Sequence, residues 1–203
     1  MNSMKAASLL PSPSLLSSVL VLSSMLIAGA AVHAGEIRDT DIRAGTAKNT
    51  ASGSGASAKQ WIGVSSGAGS SIRNSVIDAS AAKNTASGSN STAEQRIGVA
   101  TGGGKIDNVR INAGTAVNEA RGTGSHAVQE VGVAKSGGTI RNSTINAANA
   151  RNIANSSNSV AIQQLGVAEN GKTLEGATVN ADNALNKSDS STTPAIQRIG
   201  TRR

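Results

Sequence analysis

The 203-residue chain has no cysteine, no phenylalanine and no tyrosine, and its single tryptophan is Trp61. Without cysteine there are no disulfide staples, so the stability of the fold must have another source. Without large aromatic side chains the chief core fillers are Ala, Val, Ile and Leu, which favours a thin, layered interior over a globular one. Neither sign of charge is missing, but 19 Lys plus Arg stand against 12 Asp plus Glu. A basic surplus suits contact with anionic matrix polymers, lipid headgroups or nucleic acid. The basic residues are scattered and lack aromatic platforms, so no specific nucleic-acid site is expected, and solubility alone accounts for the surplus equally well.

The N-terminus carries Lys5, then an apolar stretch from Leu15 to Ala30, then the small-residue site Val32-His33-Ala34 before Gly35. This is the pattern of a cleavable secretory signal over residues 1–34. The competing reading, a membrane anchor, is weakened because the run is shorter than a spanning helix needs and serines interrupt it. With no cysteine after it, lipidation there is excluded. The expected product is residues 35–203, secreted and located outside the cell or on its surface.

What is present is a fivefold repetition. Ile37, Ile72, Ile106, Ile140 and Leu174 head tandem units spaced by 35 residues once and by 34 thereafter. Twelve residues past each anchor stands an asparagine: Asn49, Asn84, Asn118, Asn152, Asn186. Twenty-three past each stands a glutamine: Gln60, Gln95, Gln129, Gln163, Gln197. A fixed period of this length signals stacked units that bury their apolar sides against one another.

Within a unit, variation falls on alternate positions, as in strands with one buried face. Ala82, Asn84 and Ala86 recur as Ala116, Asn118, Ala120 and as Ala150, Asn152, Ala154, while their neighbours change freely. A Gly/Ser/Asn turn follows, such as Gly88-Ser89-Asn90. Beyond it Ala93, Gln95, Ile97 and Val99 form the inward face of a second strand, so Ala86 opposes Ala93, Asn84 opposes Gln95, and Ala82 opposes Ile97. Gly63, Gly98, Gly132, Gly166 and Gly200 interrupt that strand, marking a bulge or a close backbone approach. A glycine-rich link leads to a third strand that closes the unit, read from segments such as Ile72 to Ala79, whose two apolar anchors are an odd five residues apart. A bulge or corner must therefore lie near Asn74-Ser75.

In-register stacking sets Asn over Asn and Gln over Gln. A primary amide offers donor and acceptor along the stack, so both columns form side-chain ladders. The expected fold is all-β: a β-solenoid of five strand-arch-strand repeats of about 34 residues over 35–203. The ten Asn and Gln residues are its candidate functional positions, as the ladder through which copies assemble.

Tandem strand-arch-strand units with inward Asn and Gln, Gly/Asn turns and a cleavable signal resemble bacterial functional-amyloid fibre subunits of the curlin and Fap types. The unit length and the segment Ile97 to Gly103 are more similar to the Fap repeats. The chain lacks the variable linkers and paired cysteines common in that type. The resemblance implies a fibre homopolymer of a biofilm matrix, passed through a dedicated outer-membrane exporter with a periplasmic chaperone.

Catalysis is not expected. Polysaccharide-cleaving solenoids need clustered carboxylates, whereas Glu94 and Asp78 align with Val128 and Asn112 in the next unit, and Glu119 reads as outward. His126 is a lone turn histidine. Gly102-Gly103-Gly104-Lys105 lacks the Ser/Thr and helix of a phosphate loop. The links lack the Asp residues of calcium-binding repeats, so no metal or cofactor is expected. The alternative to a fibre is a monomeric adhesin binding glycans or host proteins through its outward residues. Such a solenoid should cap its end rungs; here repeat sequence begins just after the cleavage site and runs to Arg203, which favours assembly. The fifth unit departs from the pattern at Gly176, Ser188 and Pro194, and reads as the weakest rung.

Overall fold

A computed structural model describes residues 35–122, 124–155, 159–188 and 195–201. The expected signal over 1–34 and the expected strand breaker Pro194 lie outside them. Among the described residues every regular element is a strand, and each repeat is one coil, of three strands in the first four and of four in the last, where the long middle strand is split in two. The first coil comprises β1 (Glu36–Arg38), β2 (Asp41–Ser52) and β3 (Ser57–Ser65); the second β4 (Ser71–Arg73), β5 (Val76–Ser87) and β6 (Thr92–Ala100). The third comprises β7 (Lys105–Asp107), β8 (Arg110–Arg121) and β9 (His126–Val131); the fourth β10 (Thr139–Arg141), β11 (Thr144–Asn155) and β12 (Val160–Leu165). The last holds β13 (Leu174–Glu175), β14 (Thr178–Asn180), β15 (Asn183–Ser188) and β16 (Ala195–Ile199).

Corresponding strands of successive coils pair in parallel, giving three sheets ordered β1-β4-β7-β10-β13, β2-β5-β8-β11 with β14 and β15 both on β11, and β3-β6-β9-β12-β16. The chain is a β-solenoid of five coils, rising about 4.8 Å per coil. Registry is kept throughout: Ile72 pairs Ile106, Asn84 pairs Asn118 and Gln129 pairs Gln163. The single 35-residue spacing is absorbed in the link Ser66 to Ser70. Ser65 pairs Ala100 before it and Ser71 pairs Lys105 after it, a shift from 35 to 34.

The core narrows toward the turn. Ala58, Ala86, Ala93, Ala120, Ala127, Ala154 and Ala161 form an alanine-only cluster at the arch. Beyond the amides a larger cluster holds Ile62, Ile72, Ile77, Ile97, Ile106, Ile111, Val131, Ile140, Ile145 and Leu165 with alanines between them. Two methyl-bearing residues face each other at the apex, and no ring would fit there.

Three details differ from the sequence reading. The third strand does not end the unit: its second half continues as one twelve-residue strand into the Ala-Asn-Ala segment, as in β5. Its inward alternation shifts once, because Ser80 and Ala81 are both off the core between buried Ala79 and Ala82. Val99 does not join Ile97 in the main core. It stacks with Val64, Val133 and Val167 in a separate cluster, while Ala100, Ala134 and Ala168 join the main one. His126 opens strand β9 instead of lying in a turn.

The break comes from the glycine column. Gly63, Gly98, Gly132, Gly166 and Gly200 have φ of 60, 61, 63, 58 and 55°. A Cβ at Gly132 would lie 2.5 Å from Ile145 Cδ1, so both the bulge and the close approach are present. The corner near the Asn-Ser pair is also there, with Asn74, Asn108 and Asn142 at φ of 45, 53 and 46°. Gly176, at φ 56° in the same column, suits that backbone better than asparagine does. Ser188 likewise is accommodated, donating to the Ser159 carbonyl at 3.2 Å.

Gly132→Ala should combine left-handed strain with displacement of Ile145 and lower the melting temperature by roughly 5 to 15 °C. Gly45→Ala, where a Cβ meets nothing within 4 Å, should leave it nearly unchanged. Thermal unfolding followed by circular dichroism checks both; equal melting of the two variants would refute the steric account.

Candidate functional site: the amide ladders and the column beside them

All ten sequence-chosen residues fall in two columns. Asn49 Nδ2 donates to Asn84 Oδ1 at 3.1 Å, Asn84 to Asn118 and Asn118 to Asn152 at 2.9 Å, and Asn152 to Asn186 at 3.0 Å. The Gln column runs the other way: Gln95 Nε2 donates to Gln60 Oε1 and Gln129 Nε2 to Gln95 Oε1, each at 2.8 Å. In the orientation that satisfies its amide, Gln163 continues this sense and donates to Gln129 Oε1 at 2.9 Å.

Each amide is also anchored across the core to backbone. Asn118 Nδ2 reaches the carbonyls of Val128 at 2.9 Å and Ala93 at 3.1 Å, and Gln129 Nε2 reaches that of Ala116 at 2.9 Å. These bonds join the two long sheets through the middle of an otherwise apolar core. Asn84, Asn118, Asn152, Gln95, Gln129 and Gln163 are fully buried, where an unpaired amide would cost about 1 to 3 kcal/mol. At the ends Asn49 and Asn186 are half-buried and Gln197 is exposed.

Outward asparagines ladder too: Asn146 donates to Asn112 at 3.0 Å and Asn180 to Asn146 at 2.9 Å. Sequence reasoning passed over them because their faces are solvated and their earlier counterparts are Arg43 and Asp78.

One column was missed altogether, the residue after each glutamine: Trp61, Arg96, Glu130, Gln164 and Arg198. Its alternation is outward, yet Glu130 is only 2% exposed. Arg96 Nε lies 3.2 Å from Glu130 Oε2, Lys135 Nζ lies 2.6 Å from Oε1, and Gln164 Nε2 donates to Oε1 at 2.7 Å. Long side chains of neighbouring coils thus cover it. Glu119, also read as outward, is 8% exposed and pairs Arg121 at 3.0 Å. Counting one position past the repeated glutamine was the available signal. It was obscured because adjacent coils never carry the same residue type at that position.

Among the described residues no three His, Asp or Glu side chains gather in a metal-binding group, and no helix is long and apolar enough to cross a membrane. Comparison with protein-family models, with curated proteins and with solved structures gives no match.

Gln129→Leu should leave Gln95 Oε1 and the Ala116 carbonyl without their donor and destabilise the fold by about 2 to 4 kcal/mol in urea unfolding. Arg110→Gln, on the solvated face, should stay within about 0.5 kcal/mol of the parent. The reverse order would mean that the inward and outward faces are wrongly assigned.

Proposed function

We propose that this chain is a secreted structural subunit that assembles into amyloid-like fibres at the cell surface or in a biofilm matrix. The supporting observation is the state of the two end coils. Among the described residues no strand pairs with the outer edges of β1, β2 and β3, nor with those of the last coil. Ile37, Ile42, Ala44 and Ala47 at one end, and Leu174, Ala177, Val179 and Ala181 at the other, are only partly buried, whereas Ile106, Ile111, Ala113 and Ala116 are fully buried. An open parallel edge presents free backbone N–H and C=O groups as a template for another chain. Here the core-facing columns of the template continue in kind, Leu174 to Ile37, Val179 to Ile42, Asn186 to Asn49 and Gln197 to Gln60.

Export rests on the signal reading of residues 1–34. An outer-membrane exporter and a periplasmic chaperone are the partners that the curlin and Fap resemblance brings with it, and anionic matrix polymers suit the basic surplus. The role is structural, not catalytic.

Incubation of the purified protein should yield unbranched filaments that bind amyloid dyes and diffract with an axial spacing of about 4.7 to 4.8 Å. A protein that keeps its β circular dichroism yet remains monomeric for days at high micromolar concentration would overturn the reading and leave the monomeric adhesin in its place.

A further inference from the structure

The only aromatic residue of the chain stands in the first coil and is 47% exposed. Arg96, its in-register neighbour, places its guanidinium carbon 5.3 Å from the Trp61 ring centroid. Arg96 is held there from the other side by Glu94 at 2.7 Å and Glu130 at 3.2 Å. One face of the indole is therefore occupied by a fixed cation, and the ring borders the open end of the stack. At the far end the same column finishes in Arg198. Its Nη1 donates to Gln164 Oε1 at 2.6 Å, while its Nε is buried without a hydrogen-bond partner.

Register carries these two residues to each other. In a second copy added head to tail, the last coil overlies the first with every column kept, so Arg198 falls on Trp61 as Arg96 does from within. The remaining columns tolerate the junction. Glu175 falls on Arg38, Leu185 on Lys48, Asn180 on Arg43 and Ile196 on Lys59, with no like charges superposed. Inside the chain, by contrast, Arg38 stacks on Arg73 and Lys48 on Lys83. The Asn ladder also continues: among the described residues nothing donates to Asn49 Oδ1, and Asn186 Nδ2 is the donor end of its column.

We propose that Trp61 and Arg198 are the two halves of an intermolecular clamp, in which the indole of one copy is held between its own Arg96 and Arg198 of the next. This rests on the fibre reading and adds to it the partner surface, the polarity and the register. A cation desolvated over an indole face is attracted by the ring quadrupole. The two guanidinium groups would stand two coils, about 9.6 Å, apart, so their mutual repulsion is screened.

Because Trp61 is the sole tryptophan, its fluorescence reports the junction directly. On assembly its emission should shift to the blue and its quenching by acrylamide should fall severalfold. Arg198→Gln monomers should elongate wild-type seeds roughly threefold to thirtyfold more slowly than Arg110→Gln monomers, which carry the same charge change on a solvated face. Arg198→Lys should recover part of the rate. Filaments in which Trp61 stays as quenchable as in the monomer, or an Arg198→Gln rate equal to that of Arg110→Gln, would overturn the clamp and leave the fibre reading intact. Absence of filaments under all conditions would overturn both. The wild-type quenching measurement does not depend on any variant folding.

Discussion

Axial registry is the constraint on which everything else depends. Each residue lies beside its counterpart one coil away, so a side chain must be compatible with a near-copy of itself about 4.8 Å above and below. Aliphatic residues meet this by packing, and primary amides by passing a hydrogen bond along the column. A buried charge repeated in every coil could not meet it. The inward positions accordingly hold chiefly alanine, aliphatics, Asn and Gln, and neither buried carboxylate has a further carboxylate beside it: Glu130 has Arg96 and Gln164 as its axial neighbours, and Glu119 has Thr85 and Ile153.

Registry also explains the missing aromatics. The sheets converge on an apex whose hydrophobic side chains are all alanine, flanked by buried Ser91, Ser125 and Ser159, and a ring placed there would need room in every coil. The wider part of the core is filled by one Ile, Leu or Val from each sheet per coil, with Gly63, Gly98, Gly132 and Gly166 admitting the column of Ile77, Ile111, Ile145 and Val179 at a distance that a Cβ would forbid. Stability in such a core comes from many small contacts and from amides tied to the facing backbone. That is how the chain does without disulfides.

What the sequence revealed, and what it hid, follows from the same rule. Residues that repeat in type along a column were legible: the Ile anchors, the Ala-Asn-Ala face and the glutamines; the odd spacing of the apolar anchors also marked a corner near Asn74, whose left-handed backbone the structure added. The continuity of β5 was not, because two successive off-core residues at Ser80 and Ala81 break the alternation that would have joined its halves. Burial of Glu130 and Glu119 was not, because alternation assigns a face and says nothing of what covers it. The Trp61 column escaped entirely, since four different residue types share one register position and only Arg occurs twice, at Arg96 and Arg198.

The opposed senses of the two ladders give the stack its directional character. Asn amides donate toward the C-terminal coil and Gln amides toward the N-terminal coil, so neighbouring amide dipoles run antiparallel inside a medium of low dielectric, where alignment would be costly. The backbone carbonyls fix this choice: Gln129 Nε2 is held by Ala116 and Asn118 Nδ2 by Val128 on opposite sheets. Cancellation holds within each coil and therefore does not limit how many coils can be stacked. The ends remain unlike, one closing its Asn column with an acceptor and the other with a donor. A stack whose interior is indifferent to length but whose ends are distinct is thereby suited to extension in one orientation, and the residues that differ most from the repeat, Trp61 among them, are found where such a stack would have to recognise its own other end.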